Sequence, residues 1–425
     1  MTNPNQSIIP RDQHSVSRDF ISDNALKVLY RLHKGGYQAF LVGGGVRDIL
    51  LGLRPKDFDI ATDATPEQVK KLFRNCRIIG RRFRLAHILY GRDIIEVATF
   101  RAHCDDNIEQ GADGMIVRDN VYGTVEEDAI RRDFTVNALY YNIADFSIHD
   151  YCGGLADLEK RQLKMIGDPV ERYREDPVRM LRAVRLGCKL NLTIEQQTAK
   201  PIAELAQLLE GVPAARLWEE YKKMFLSGKG QRTFNQLKHF GLLPYLFPQT
   251  SKAMAENDDF AELVTIALEN TDSRLRDDKT VNPAFLQAVM LWQPLLDKTE
   301  KLVAKGMGFN DAFYKSMNPV INQQSQTVSV MRRYAGVIQD IWALQIRLKT
   351  NYGKRVWSLL EHPRFRAAYD FLLLRAEIDP SHQRLADWWT EFQEASREQR
   401  LKMLAKSKSK GSKRRPRKRK SRANH

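Results

Sequence analysis

Two aspartates one residue apart are the first residues of this sequence that could do chemistry together. Asp57 and Asp59 lie in the stretch KDFDIAT, whose apolar residues predict a strand over 58–61. Residues i and i+2 of a strand face the same side, so both carboxylates should point one way. Two like charges this close disfavour joint ionisation unless a cation lies between them, and Mg²⁺ with its oxygen ligands is the usual one. The residue types alone leave open that the pair lies on an ordinary solvated strand.

A third carboxylate lies on another predicted strand, 94–100. Glu96 is flanked by Ile95 and Val97 in the stretch IIEVATF. An acid between β-branched residues of a half-buried strand needs a reason to be there, and a shared metal ion would be one. The alternative is an exposed strand residue without a ligand.

A glycine run precedes the aspartates by about a dozen residues. Gly43, Gly44 and Gly45 separate a predicted strand (38–42) from a predicted helix (46–51), and Arg47 and Asp48 follow at once. Glycines in such a turn let backbone amides approach an anion, although ordinary tight turns use them too. The turn and the acids together predict a triphosphate cradle beside a metal site, which suits nucleotidyl transfer with two metal ions.

The elements that would position these residues form a mixed α/β part in the first third of the chain. A helix capped by Asp23 precedes the first strand, and Thr65 caps a helix from Pro66 to about residue 74. Strands are predicted at 86–90 and 94–100, a loop at 102–124, a helix at 126–139, a hairpin at 140–151 and a turn into a helix at 152–158. From about residue 160, helical periodicity takes over.

These patterns predict an α+β protein with five parts. They are an arm (1–22), a mixed-sheet head (23–160), a helical neck (161–225), a helical body (226–404) and a basic disordered tail (405–425). In the neck, Trp218, Tyr221 and Phe225 recur at helical spacing, which favours core packing over base stacking.

The charge of the chain is concentrated at its end. Of the 68 Lys and Arg residues eleven lie in 406–422, which leaves 57 against 52 acidic residues elsewhere. Such a tail repels itself and attracts polyanions, with a membrane surface or a protein as alternatives. The four cysteines are dispersed, without a CxxC pair, and no segment predicts a secretion signal or membrane span, so we expect a cytoplasmic protein.

Four motifs, in order, resemble those of the class II nucleotidyltransferases of the polymerase β superfamily, which comprise bacterial poly(A) polymerases and tRNA CCA-adding enzymes. They are LVGGGVRD…KDFDIAT (41–62), RRDFTVNAL (131–139), CGGLADL (152–158) and EDPVRMLRAVR (175–185). The resemblance implies a polymerase-β-like head, with Asp57 and Asp59 as the catalytic metal ligands and Glu96 as the third. It also implies a catalytic role for Asp133 and two Mg²⁺ ions, with Mn²⁺ as an alternative.

The same resemblance implies a set of nucleotide-binding residues. They are Gly43, Gly44, Arg47, Arg132, Asp176, Arg179, Arg182 and Arg185. Arg suits phosphate or a base edge, and an Asp accepts where an adenine amino group donates. Two structural alternatives remain, because Asp176 before Pro177 is also a good helix cap and Asp133 could pair with a nearby arginine.

Features outside the motifs resemble the poly(A) polymerases more than the CCA-adding enzymes. They are IIGRRFRLAHI (78–88), the helix near residue 30, the segment 361–377 and the basic end. The resemblance implies template-independent addition of AMP from ATP to RNA 3′ ends, in RNA processing and decay. It also implies a monomer whose tail could contact RNA or RNA-decay proteins. A CCA-adding enzyme and an inactive RNA-binding scaffold remain as alternatives.

Overall fold

The computed structural model describes residues 7–80, 84–102, 109–110, 116–118 and 121–411. The chain divides into two compact units, residues 1–208 and 209–425, which are described separately. The division falls inside the segment predicted as the neck. The predicted loop 102–124, the segment 78–88 and the tail each lie partly outside the described residues. Within the described part, no helix is both long and apolar enough to cross a membrane.

The first unit is built on a mixed sheet of eight strands, as predicted, in the order β1-β10-β9-β2-β3-β6-β5-β4. Within this sheet, β3 and β6 pair in parallel and the other neighbours pair antiparallel. The strands are β1 Ser7–Ile9, β2 Ala39–Val42, β3 Asp59–Thr62, β4 Cys76–Ile79, β5 Leu85–Tyr90, β6 Asp93–Thr99, β9 Leu139–Asn142 and β10 Ile148–Asp150. Two further pairs stand apart: β7 Glu109–Gln110 with β8 Ile116–Arg118, and β11 Gln162–Leu163 with β12 Thr193–Ile194.

Short helices follow the strands of this unit. They are α1 Asp23–Lys34, α2 Gly44–Leu50, α3 Pro66–Leu72, α4 Val125–Ile130, α5 Gly154–Glu159, α6 Pro169–Glu175, α7 Val178–Leu190, α8 Gln196–Ala199 and α9 Pro201–Leu205. One buried cluster joins Phe40, Val42 and Ala61 of the sheet to Val125 and Ala129 of α4. Side chains alternate along β3, so Asp59 lies on the same face of the sheet as Ala61.

The N-terminal arm is more ordered than the sequence indicates. Residues 7–9 form an edge strand that pairs with β10, and two 3₁₀ turns follow at Arg11–Gln13 and Arg18–Phe20. The cap of α1 was also predicted one residue late, because the Ser22 hydroxyl accepts from the Ala25 amide. Residues 7–22 of the arm are therefore part of the head. By contrast, Thr65 caps α3 as predicted, in a reciprocal capping box with Gln68.

The predicted helix over 126–139 is wrong beyond residue 130. The helix α4 ends at Ile130, a 3₁₀ turn covers Thr135–Asn137, and β9 begins at Leu139. The Asp133 carboxylate accepts from the amide of Phe134, 2.8 Å away, and such local bonds compete with helix formation. The β-branched Thr135 and Val136 also favour the exit from the helix.

Every regular element among the described residues of the second unit is a helix, as the periodicity predicts. Its helices are α10 Ala214–Phe225, α11 Gly230–His239, α12 Leu243–Leu246, α13 Pro248–Glu256, α14 Asp258–Arg276, α15 Pro283–Met290, α16 Trp292–Val303, α17 Phe309–Thr327, α18 Arg332–Arg347, α19 Arg355–Leu360, α20 Phe365–Ile378, α21 Gln383–Glu394 and α22 Arg397–Gly411. Trp218, Tyr221 and Phe225 are fully buried, which confirms the core interpretation. The helix α22 runs into the segment predicted as a disordered tail; residues 412–425 lie outside the described part.

Candidate active site

The three carboxylates singled out from the sequence come together at one end of the central strands. Asp59 begins β3 and is in register with Glu96 of β6, its parallel neighbour. Asp57 lies two residues earlier, in the extended approach to β3, and all three residues are solvent-exposed. On the far side of Glu96, His87 of β5 is in register with it, and His87 Nε2 lies 3.4 Å from Glu96 Oε1.

The pKa of Asp59 responds to the charges of the acids and the arginine around it. Its pKa is raised, first because neighbouring atoms displace water from the carboxylate and then because of the charge of Glu96; Arg132 opposes the shift and Asp57 adds to it. The residue keeps enough solvent access to meet a ligand, so its desolvation is partial. Ionised acids in this arrangement repel one another, and a divalent cation would relieve that repulsion.

The donor set fits Mg²⁺ in part. Carboxylate oxygens are the protein ligands that Mg²⁺ prefers, and the ion commonly takes its remaining ligands from water and substrate phosphates. Among the described residues, no group of three or more acids, histidines or cysteines is arranged to hold an ion by itself. The in-register acids Asp59 and Glu96, with Asp57 two residues before Asp59, supply carboxylates of the kind that such an ion takes.

The glycine turn lies beside the acids because β2 and β3 are neighbours. Val42 at the end of β2 is in register with Asp59, so Gly43 follows directly at the mouth of the site. Gly43 has φ +66°, and a Cβ there would lie 3.1 Å from Arg132 Nη1. Glycine is thus required for both the left-handed backbone and the close approach of an arginine.

Arg47 is buried and its hydrogen bonds support the glycine turn. Its guanidinium donates to Asp48 Oδ1, with Nε 2.9 Å and Nη2 2.6 Å away, and Nη1 donates to the side-chain oxygen of Asn137. With 5% of its surface exposed, Arg47 links α2 to the 3₁₀ turn within the second motif. Direct contact of Arg47 with a nucleotide stays a prediction.

Arg132 lies between the acids and the turn. Its Nε donates to the Tyr140 hydroxyl at 2.8 Å, and its Nη2 donates to Asp128 Oδ2 at 3.2 Å. The Tyr140 hydroxyl donates to the same Asp128 oxygen, so the guanidinium is held rigidly. Arg132 lowers the pKa of Asp59 and supplies positive charge where phosphates would enter.

Asp133 forms an ion pair with an arginine, which is the structural alternative that the sequence left open. Arg182 of α7 donates to Asp133 Oδ2 through Nε at 2.6 Å and Nη2 at 2.5 Å. Burial by itself would raise the pKa of Asp133, but Arg182 and hydrogen bonds from Asn137 and Phe134 outweigh it, so the pKa is lowered. The pair joins the second motif to the fourth; a direct catalytic role for Asp133 stays a prediction.

The remaining residues of the fourth motif make contacts at the start of α7 and add positive charge farther along it. Pro177, and not Asp176 as predicted, occupies the N-cap of α7; the Asp176 carboxylate, one residue earlier, accepts from the Val178 amide, 3.1 Å away. Arg179 donates to Glu175 and to the Arg172 carbonyl. Farther along α7, the pKa of Lys189 is lowered, first by burial; Asp48 opposes the shift, while Arg47, Arg185 and Lys56 add to it. Positive charge from α7 therefore gathers close to the helix of the glycine turn.

Several residues that hold the site together were missed. Arg172 Nη2 donates to the carbonyls of Arg131 and Arg132, each 2.7 Å away, and fixes the second motif. The Asp150 carboxylate accepts from four backbone amides of residues 152–155, and Asp157 accepts from the Thr135 hydroxyl at 2.6 Å. The third motif is thus a brace for the second. The sequence gives no direct signal for the contacts between these motifs, because the partner residues are far apart along the chain.

The fold and the site define a class II nucleotidyltransferase head. Residues 39–164 match the family model of the poly A polymerase head domain. Residues 191–254 match a probable RNA and SrmB-binding site of polymerase A, and residues 305–423 match its arginine-rich C-terminus.

Two curated relatives cover nearly the whole chain. Poly(A) polymerase I of Salmonella typhimurium is 51% identical over 412 residues, covering 94% of this chain and 89% of that protein. Poly(A) polymerase I of Escherichia coli O157:H7 is 52% identical over 401 residues, covering 92% and 86%. The chain belongs to the bacterial poly(A) polymerase family.

Solved structures support the fold. The crystal structure of the Bacillus stearothermophilus CCA-adding enzyme in complex with CTP superimposes with a TM-score of 0.56 at 23% identity, covering 87% of this chain and 82% of that one. At this identity the likeness concerns the fold alone.

Proposed function

We propose that this enzyme adds AMP from ATP to RNA 3′ ends without a template, and so acts in RNA 3′-end processing and decay. The observation that carries the proposal is the row formed by Asp59 and Glu96, with Asp57 beside it, next to the glycine turn and Arg132. The full-length likeness to relatives named poly(A) polymerase I supports the choice of adenylate. The dispersed cysteines and these bacterial relatives favour a cytoplasmic location.

We propose that Asp57, Asp59 and Glu96 hold two Mg²⁺ ions together with the triphosphate. Bound Mg²⁺ would lower the barrier by neutralising phosphate charge and acidifying the attacking hydroxyl. The protein groups around this site place the substrates. The glycine turn amides and Arg132 bind phosphate oxygens, and Arg47 and Asn137 keep the turn rigid.

In the proposed reaction, the RNA 3′-oxygen forms a bond to the α-phosphorus of ATP. The bond from that phosphorus to the oxygen of the β-phosphate breaks, pyrophosphate leaves and the hydroxyl proton passes to solvent. Arg182 and Arg185 of α7 border the nucleotide, and their side chains contact the base or phosphates in this proposal. The Asp133–Arg182 pair orients α7 and so sets the position of the base.

The RNA is held mainly through its phosphates. Such binding requires positive charge and little sequence readout, which suits an enzyme that extends many RNAs. The match of 191–254 to a family RNA-binding model supports RNA contact by this segment. We further propose that the basic tail binds RNA or RNA-decay proteins and that the enzyme acts as a monomer.

One assay tests the proposed activity against its alternatives. A labelled RNA primer is incubated with Mg²⁺ and each nucleoside triphosphate offered singly. The proposal requires a long ladder with ATP alone. Addition that needs CTP and is restricted to a tRNA end would instead establish a CCA-adding enzyme, and no extension with any nucleotide would establish a scaffold.

A further inference from the structure

The outer face of α1 carries three exposed cations on successive turns. Lys27, Arg31 and Lys34 follow one another at spacings of four and three residues, which places them side by side. Like charges at these spacings repel one another, and the helix dipole offsets this in part, because Arg31 and Lys34 lie in the last turn of α1. Among the residues that the structure describes, none of the three forms an ion pair with a carboxylate. A helix that tolerates this repulsion is suited to a polyanionic partner.

The three cations border a shallow depression of about 680 Å³ that also contains two aromatic rings. Tyr30 is half-buried and its hydroxyl accepts from Arg18 at 2.8 Å, which adds a fourth cation nearby. Tyr90, at the end of β5, is half-buried on the other side. The lining is Asp23, Leu26, Lys27, Tyr30, Arg31, Lys34 and Tyr90, with one acid at the end of the depression.

This depression lies on the opposite face of the sheet from the catalytic acids. The helix α1 packs on β2, β3 and β6. Among the described residues, its buried side chains lie outside the cluster that joins Ala61 to α4, and Asp59 shares the Ala61 face. An anion bound at α1 is therefore separated from the site of AMP transfer by the sheet itself.

We propose that this face, defined by Lys27, Arg31, Lys34, Tyr30 and Tyr90, binds an upstream single-stranded segment of the RNA substrate. Cations that follow the phosphates and aromatic rings that stack on bases are the two elements of sequence-independent single-strand binding. A purely acidic protein segment would use the cations but would gain little from the rings. The proposal rests on the proposed function, since it assigns a second contact to the same RNA.

The test is RNA binding without ATP, so its outcome does not depend on AMP transfer. The triple variant Lys27→Gln, Arg31→Gln, Lys34→Gln is compared with a control that removes three acid-paired cations outside residues 191–254: Lys279→Gln, Arg366→Gln, Lys402→Gln. Fluorescence anisotropy follows two labelled oligoadenylates, one of about 6 nucleotides and one several times longer. Thermal melting verifies that each variant is folded.

The proposal predicts weaker binding of the long RNA by the triple variant and unchanged binding of the short one. The loss of three phosphate contacts should reduce the slope of log affinity against log salt by about 2. The ratio of the RNA affinity of the unsubstituted chain to that of the triple variant should therefore fall roughly 16-fold when the salt concentration is raised fourfold. The control should keep the original slope. Because Arg31 also lies over the ring of Phe73, a Lys27→Gln, Lys34→Gln variant serves if the triple is unstable, with a slope change of about 1.4.

Equal slopes for the triple variant and its control would overturn the proposal. So would a loss of binding to a polyglutamate peptide without any change for RNA, because it would show an acidic protein to be the partner. Replacement of Tyr90 by Leu completes the test, since loss of the ring should weaken the long RNA further at high salt, where phosphate contacts are screened.

Discussion

At the scale of single residues, the site combines acids that repel one another with cations that are firmly held. Asp59 and Glu96 are in register on adjacent strands, while Arg132 and Arg47 are fixed by hydrogen bonds to Asp128 and Asn137. Repulsion between ionised acids costs stability, and it is retained where function needs it.

Replacement of Asp59 by Asn should stabilise the protein at neutral pH. An acid whose pKa is raised on folding destabilises the fold once it is ionised, so its replacement has little effect near pH 4 and a growing benefit as pH rises through the raised pKa. Thermal melting between pH 4 and pH 8, without divalent cations, measures this. The stability of the variant minus that of the unsubstituted chain should therefore increase with pH. A difference that decreases between pH 4 and neutral pH would contradict this electrostatic origin.

At the scale of elements, the site depends on contacts that join the motifs to one another. The sequence predicted the strands that carry Asp59 and Glu96, because alternating apolar residues mark them clearly. It did not predict the end of α4, because two contacts override helical periodicity there: the Phe134 amide donates to the Asp133 carboxylate, and Arg132 donates to Tyr140. Partners such as Asp133 and Arg182 are 49 residues apart, and spacing alone could not choose between a catalytic acid and an ion pair.

Arg172→Lys should lower stability by about 1–3 kcal/mol. A lysine cannot reproduce the guanidinium geometry that bonds both the Arg131 and Arg132 carbonyls, and a part-buried carbonyl that loses its partner costs up to about this much. Urea unfolding measures the change. The control is Arg174→Lys, an exposed arginine of the same helix, which should change stability by less than about 0.5 kcal/mol. Equal effects of the two substitutions would refute this role of Arg172.

Gly154→Ala should also destabilise, by roughly 1–3 kcal/mol, because the chain must shift to admit the new atom. A Cβ at Gly154 would lie 2.2 Å from the Thr135 carbonyl oxygen, where the third motif packs on the second. The matched control is Gly336→Ala in α18, where a Cβ meets no atom within 4 Å and the gain in helix propensity is up to about 1 kcal/mol. Chemical denaturation of both variants should give shifts of opposite sign; shifts of the same sign would contradict the packing argument.

At the scale of the whole molecule, charge is divided between a nearly balanced folded part and a basic end. The α+β head, the helical remainder and the concentration of charge could all be predicted, since composition and periodicity change abruptly along the chain. The edge strand at residues 7–9 could not, because a three-residue strand carries no periodicity and is defined only by its pairing with β10.

Deletion of residues 406–425 should weaken RNA binding and flatten its salt dependence. The segment contains eleven Lys and Arg residues, so the slope of log affinity against log salt should fall by up to about 8. A chain of full length in which these eleven Lys and Arg residues are replaced by Gln should behave like the deletion. This variant shows whether the effect comes from the charge of the tail or from its length. An unchanged slope in either protein would show that the tail does not contact RNA phosphates.

The most direct test of the central claim is AMP addition to a labelled RNA primer by Asp57→Asn and Asp59→Asn. The control is Asp63→Asn, since an Asn oxygen can still accept from the Gln38 amide, 2.8 Å from Asp63. Both site variants should lose on the order of 10³-fold in rate and keep their RNA affinity, while Asp63→Asn should retain activity. Near-normal AMP addition by either site variant would contradict the assignment of the catalytic acids.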